Sequence, residues 1–259
     1  MERFDSKKAF SGKVDEYAKY RPTYPPAAID FFKQKLGLKS SCAVADVGSG
    51  TGLFTELLLK NGCFVYAVEP NQEMRRTAER LLGKCPNFKS VNGNAESTGL
   101  ADASVDFVTA AQAFHWFDVE KSKAELSRVL RPGGFAVLIW NERKRYGNAF
   151  QKAFSGFLTL LAQKFRRVHP GGFFENTDEG KISSFFSHSG FSKEKFENFQ
   201  ELGFDGLLGL VASRSYSPKQ GTNEYNDMKG ELQAMFNAHA KKGLVQVAYE
   251  TEVYWGKLG

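Results

Sequence analysis

One nine-residue stretch, VADVGSGTG at residues 44–52, constrains this chain more than any other. It joins an apolar run to a helical pattern. Behind the carboxylate of Asp46, the glycines Gly48, Gly50 and Gly52 alternate with other residues. Glycine tolerates left-handed backbone and lets the main chain approach a ligand with no Cβ between them. In an open α/β sheet such a turn lies beyond the carboxyl end of the first strand, where ligands bind. Spacing then separates the ligand classes. A phosphate-binding loop needs GxxxxGK(S/T), but position 53 is Leu53 and no Gly-Lys follows. The dinucleotide fingerprint GxGxxG fails by one residue, because the third glycine arrives early and Leu53 fills its place.

Residues 42–141 alternate strand-like and helix-like segments, the pattern of a parallel sheet wrapped by helices. Strands are expected at 42–48, 64–69, 88–93, 105–114 and 135–140. Leu53, Phe54, Leu57 and Leu58 recur on one helical face until Asn61-Gly62, and Asn71 is suited to cap a helix reaching Leu82. A third helix, Val119 to Leu130, should end at Arg131-Pro132-Gly133-Gly134. Residues 147–192, rich in Phe and Gly, read as an insertion over the top of the sheet rather than as core. From Val245 to Trp255, apolar and other residues alternate strictly, which predicts a long strand with two differently clothed faces.

At 259 residues the chain can hold one large α/β domain: a core at 10–141, a lid at 147–192 and completing strands and helices at 193–259. Met1 to Phe10 carries five charges and lacks the apolar stretch of a signal peptide, and nothing later approaches the ~18 apolar residues of a membrane span. Cys42, Cys63 and Cys85 fit neither a metal motif nor a disulfide framework, so they read as reduced, buried thiols in a cytoplasmic protein with no metal. The net charge of +6 is spread along the chain in short runs, which argues against nucleic acid as a partner.

Taken with Glu69 at the end of the second strand, the DxGxGxG spacing resembles the cofactor loop of class I S-adenosylmethionine-dependent methyltransferases. NAE (94–96), AQAFHWFD (111–118) and RPGG (131–134) follow in the order that family shows. The resemblance covers residues 10–141 firmly and the rest loosely. It implies a Rossmann-like sheet of seven mostly parallel strands in the order 3-2-1-4-5-7-6, with strand 7 antiparallel, helices on both faces and a helical lid. The implied cofactor is S-adenosylmethionine, with S-adenosylhomocysteine as product and no metal. In that role Glu69 accepts hydrogen bonds from the ribose hydroxyls, or else serves as a helix N-terminal charge beside Asn71. Asn94 and Ala95 meet the adenine edge, although the family more often carries Asp at the first of these positions. Asp46 orients the methionine end or pins the loop's own amides. Pro70 and Met74 pack against the adenosine or belong to the core, and Thr51 and Gln112 complete the cofactor set.

YAKYRPTYP (17–25) reads as stiff and non-helical. By resemblance it is a flap in which Tyr20 faces the sulfonium and Arg21 pairs with the methionine carboxylate; the alternative is a surface turn leading to a helix at Pro26. Methyl transfer is an in-line displacement that rests on alignment and desolvation, with a base optional. His115 is either that base or, with Phe114, Trp116 and Phe117, a wall of the pocket. Tyr24, Trp116, Trp140 and Arg143 are expected to line the acceptor pocket, and Arg143, Lys144 and Arg145 either suit an acidic substrate or face solvent. AFHWF and SRSYSP (213–218) look most like the small-molecule branch that includes trans-aconitate-type carboxyl methyltransferases, and the D/N/S-P-P-Y/F/W signature for base amines is absent. The expected activity is methylation of a small, acidic or oxygen-bearing metabolite by a monomer or homodimer. A non-catalytic S-adenosylmethionine-binding regulator and an NAD-dependent oxidoreductase are the rival readings.

Overall fold

Four of the five side chains in AVADV are buried, so this strand needs neighbours along both edges and cover on both faces. The structure, a computed structural model, describes residues 14–165, 178–186, 190–214 and 216–258. Helices α1 (Val14–Tyr20) and α2 (Pro26–Phe31), the latter continued by a wider turn at Phe32–Leu36, precede strand β1 (Ala43–Val47). There follow α3 (Leu53–Lys60), β2 (Phe64–Val68), α4 (Gln72–Leu82), β3 (Phe88–Val91), β4 (Val105–Ala111), α5 (Val119–Val129) and β5 (Leu130–Arg143). Helices α6 (Ala149–Lys164) and α7 (Glu179–Phe186), strand β6 (Ser192–Leu202), helices α8 (Phe204–Ala212) and α9 (Asn223–His239) and strand β7 (Val245–Gly256) complete the chain.

The strands form one sheet in the order β3-β2-β1-β4-β5-β7-β6, as the resemblance implies. Strands β1 to β5 pair in parallel, with Asp46 beside Ala67 on one flank and Thr109 on the other. Strand β7 runs antiparallel to β5: the Lys144 amide donates to the Ala248 carbonyl, while three residues earlier on β5 Asn141 accepts from Thr251, three residues later on β7. Asn71 caps α4, its side chain accepting from the Met74 amide at 3.0 Å.

The described residues divide into two compact units, and the division falls within β5, β6 and β7. One unit holds 23–141, 178–186, 190–196 and 251–258. Its core lies on both faces of the sheet. Tyr24, Phe32, Phe54, Val65 and Ile139 belong to one side, and Val108, Phe114, Leu126, Trp140 and Tyr254 to the other. The other unit holds 14–22, 142–165, 197–214 and 216–250, with Phe154, Leu158, Leu210, Leu232 and Val247 at its centre.

Six expectations change. Strand β4 stops at Ala111 because Gln112 takes a left-handed φ of +57°, and Phe114–Trp116 forms a single 3-10 turn. RPGG ends the helix but also belongs to β5: Val105 faces Leu130 and Phe107 faces Phe135, so Arg131 to Gly134 form a bulge. The stretch 17–25 is helical as far as Tyr20, since Pro22 restricts only the residue before it. Within 147–192, the described helices α6 and α7 are core rather than cover. Helix α6 builds the centre of one unit, while Ile182, Phe185 and Phe186 of α7 are fully buried in the sheet core of the other, with the Phe114 and Phe185 rings 4.9 Å apart. Cys42 and Cys63 are buried free thiols, but Cys85 is only half-buried. Alternation on β7 holds only to Thr251, because Glu252 to Tyr254 are all buried. The expectations for Met1 to Phe10, for residues 166–177 and 187–189 of the lid, and for Ser215 lie outside the described residues.

Placing α7 in the core has a measurable consequence. Phe185→Ala should lower the unfolding free energy by about 3–5 kcal/mol in urea titration, whereas a residue on a mobile cover would show almost no loss.

Candidate functional site

Asp46 is fully buried, yet its carboxylate is well provided for. Oδ2 accepts from the Thr55 hydroxyl at 2.6 Å and Oδ1 from the Thr109 hydroxyl at 2.9 Å. The β1–β4 register brings Thr109 alongside, and α3 delivers Thr55 from beyond the glycine turn. Asp46 therefore ties together the two ends of the turn. The end of β2 holds the amides of the turn. The Val68 carbonyl accepts from the Gly48 and Ser49 amides at 2.8 and 3.2 Å, and Glu69 Oε2 accepts from the Gly50 amide at 2.9 Å. Gly48 has φ +70°, and a Cβ there would lie 2.5 Å from the Ala113 Cβ, so glycine serves both the turn and the close approach of the segment after β4.

The second oxygen of Glu69, Oε1, accepts from the Asn71 amide at 2.8 Å, and Arg75 Nη1 donates to the Glu69 carbonyl at 2.8 Å. Burial raises the Glu69 pKa above the ordinary carboxylate value, and these amides oppose the rise. Each carboxylate oxygen takes more than one donor, so Glu69 retains acceptor capacity while held still. Asn94 and the buried Ala95 follow β3 on the same edge of the sheet. Asn94 Oδ1, Ser49 Oγ and Thr51 Oγ1 are buried with no hydrogen-bond partner among the described residues. Buried polar atoms are normally satisfied, so these three, with a fixed carboxylate and a glycine cradle, fit a ligand carrying several hydroxyl and amine groups. Met74 is buried, its sulfur 3.7 Å from where a Cβ on Gly50 would stand, and Pro70 is half-buried.

The segment after β4 supplies Gln112, His115 and Trp116, all half-buried. Gln112 is fixed by its amide on the Ile139 carbonyl at 2.8 Å and by Nε2 on the Asn141 carbonyl at 3.3 Å. A non-glycine residue in left-handed backbone at the end of a central strand is strain that the surroundings sustain, a common property of functional turns. The His115 and Trp116 rings lie 4.8 Å apart. Tyr24 is buried edge-on to Phe54 at 5.0 Å. Trp140 is enclosed in the core between Phe114 and Tyr254, its Nε1 with no hydrogen-bond partner among the described residues.

Residues 45–138 match the family model described as "Methyltransferase domain". Over this stretch the chain is similar to methyltransferase domains. An uncharacterized methyltransferase of Mycobacterium tuberculosis is 40% identical over 141 residues, a match covering 54% of this chain and 55% of the relative. The chain thus spans about half the length of the curated relatives it matches first. Among solved structures, a proposed type II methyltransferase from Anaeromyxobacter dehalogenans superposes with a TM-score of 0.68 at 24% identity, covering 92% of this chain and 98% of that one. A phosphoethanolamine-type N-methyltransferase of Haemonchus contortus, solved with phosphomonomethylethanolamine and S-adenosylhomocysteine, gives 0.58 at 13% identity, over 99% of this chain and 60% of that one.

Three residues expected at the methyltransferase site, Tyr20, Arg21 and Arg143, belong to the other unit. The Tyr20 ring packs on helix α8, where a Cβ added to Gly209 would meet it at 2.1 Å. Arg21 Nη2 donates to the Ser213 carbonyl at 3.4 Å. Arg143, the last residue of β5, is half-buried and donates to Ser155 Oγ at 2.6 Å, whereas Lys144 pairs with Glu197 and Arg145 is exposed. Sequence reasoning missed Thr55 and Thr109. Their only signal was a hydroxyl interrupting an otherwise apolar helix face and an apolar strand.

Burial pushes the Asp46 carboxyl up to about 6 against its threonine hydrogen bonds. The folded chain thus holds that proton more tightly than the unfolded chain. Stability from this group is present near pH 4 and is lost as pH rises through 6. Asp46→Asn cannot titrate, so the unfolding free energy of the natural chain minus that of the variant should grow by about 2 kcal/mol between pH 7 and 4. Urea titrations at both limits measure it, and a pH-independent difference would refute the assignment.

Proposed function

We propose that this chain transfers a methyl group from S-adenosylmethionine to a small, acidic or oxygen-bearing metabolite. The observation that carries the reading is the Glu69 carboxylate, immobilised at the end of β2 by the Gly50 and Asn71 amides beside the glycine turn. A carboxylate in that position accepts from both ribose hydroxyls, which a neutral side chain does only in part. Asn94 and the Ala95 amide meet the adenine edge, Met74 and Pro70 cover the adenosine, and Thr51 and Gln112 border the remainder. When bound, the cofactor supplies an electrophilic methyl on a sulfonium.

The chain's own contribution is alignment and exclusion of water. His115 and Trp116, backed by the buried Phe114, form a poorly hydrated surface after β4, which favours a displacement in which the sulfonium loses its charge. A carboxylate acceptor needs no base, and a hydroxyl acceptor would hand its proton to His115.

Calorimetry with S-adenosylhomocysteine tests the cofactor assignment. Glu69→Ala should weaken binding 10- to 100-fold, the loss expected for hydrogen bonds to a charged acceptor. Equal binding by the variant would sink the assignment. Incubation with methyl-labelled S-adenosylmethionine and separated metabolite, RNA and protein fractions then tests the acceptor. Label should enter the metabolite fraction, and label confined to RNA or protein would overturn the substrate class.

A further inference from the structure

The turn that carries Asn94 and Ala95 is gripped by α5, a helix that takes no part in the glycine cradle. Main-chain bonds close the turn: the Asn94 amide donates to the Ser97 carbonyl at 3.1 Å and the Ser97 amide to the Asn94 carbonyl at 3.3 Å. Gly93 permits that closure, since a Cβ there would lie 2.6 Å from the Thr98 carbonyl oxygen. Thr98, fully buried, anchors the far end. Its amide and its hydroxyl both donate to Glu125 Oε1 of α5, at 2.8 and 2.6 Å.

Glu125 is itself held. Arg128 donates Nε to Glu125 Oε2 at 2.9 Å and Nη2 to Oε1 at 2.7 Å, and Nη2 also donates to the Leu100 carbonyl at 2.9 Å. The Arg128 hydrogen bonds, joined by those of Thr98 against partial burial, bring the Glu125 carboxyl down to about 2, so the clip is charged at neutral pH. Just ahead of α5, the Asp118 amide donates to Glu96 Oε1 at 2.8 Å. The turn is thus held at two points, and Leu126 and Val129 seat α5 in the same core that takes Ala95 and Leu100. Asn94 Oδ1, carried by this fixed turn, is buried with no hydrogen-bond partner among the described residues.

The two polar groups of the turn differ in what they can discriminate. The Asn94 amide can rotate to offer either its oxygen or its nitrogen, so it serves a base edge of either polarity. The Ala95 main-chain N–H is a donor only, and inverting it requires moving the turn. It suits a base whose N1 is an acceptor, as in adenine, and opposes one whose N1 carries hydrogen, as in hypoxanthine, provided the turn holds still.

We propose that Thr98 and Glu125 are positioning residues that fix the Asn94–Ala95 turn and so make the site selective for a purine whose N1 is an acceptor. The inference rests on the S-adenosylmethionine reading given above.

The test is calorimetry with S-adenosylhomocysteine and S-inosylhomocysteine, which differ only at the base, on the natural chain and on Thr98→Val, Thr98→Ser, Glu125→Ala and Glu69→Ala, with the melting temperature of each. The natural chain should prefer the adenine ligand by about tenfold or more, the worth of one hydrogen bond turned into a clash. Thr98→Val and Glu125→Ala, which cut the clip from opposite sides, should each narrow that preference by about threefold or more, because a loosened turn can retreat from the wrong base. Thr98→Ser keeps the hydroxyl but loses a buried methyl group, so it should melt lower yet keep the natural preference, which a merely structural role would not produce. Equal binding of the two ligands by the natural chain overturns the proposal. If Glu69→Ala binds S-adenosylhomocysteine as the natural chain does, the cofactor reading fails and this inference with it. If Glu69→Ala binds more weakly while Thr98→Val or Glu125→Ala keeps the natural preference, or if Thr98→Ser loses it in step with its melting temperature, the positioning role alone is overturned.

Discussion

The buried bridge from Asp46 to Thr55 and Thr109 is the constraint on which the site depends. It fixes three elements at one point: β1, which carries the acid, β4, which lies beside it, and α3, which starts after the turn. With both ends of the turn fixed, residues 48–52 have little choice of path, and the positive φ of all three glycines follows from that short closure. An acid so deeply enclosed is a poor choice for stability alone, since its desolvation opposes folding near neutral pH. Its value lies in geometry: two hydroxyl donors at defined positions hold a loop that no hydrophobic contact could hold as accurately.

Two acids in the same neighbourhood carry different duties because their surroundings differ. Asp46 is sealed and faces inward. Glu69 lies at a strand end, each oxygen engaged by one amide, so it can face a ligand without swinging away. The turn after β4 completes this edge through close approach, with Ala113 filling the space left by the missing side chain of Gly48 and Gln112 held in left-handed backbone. A site of this kind is built mainly from main-chain geometry, with few side chains chosen for chemistry.

Much of this was legible in the sequence, for identifiable reasons. Apolar runs such as AVADV and FVYAV, set off by glycine and asparagine, marked the parallel strands, and the spacing of Gly48, Gly50 and Gly52 excluded two ligand classes. Other features left no mark. RPGG looked like a helix terminator because proline and glycine end helices, but proline is also tolerated at a strand start, where no ladder donor is lost, and a bulge accommodates the glycines. Phe185 and Phe186 advertised burial without saying in which core. Threonine is ordinary in strands, so Thr109 gave no sign of serving Asp46.

The interleaving of the two units also shapes how the chain reaches its folded state. The sheet unit is assembled from three separated stretches, and its core needs Phe185 and Phe186 from α7 and Val253 and Tyr254 from the far end of β7. During synthesis the first five strands can pair early, yet Trp140 and Phe114 stay exposed to solvent on one face until much later residues emerge. Contacts of such long sequence separation must be closed against chain entropy before they contribute, so the final docking of β7 is slow relative to formation of the parallel core. The cell therefore handles, for part of each molecule's synthesis, a half-built sheet with an open aromatic face.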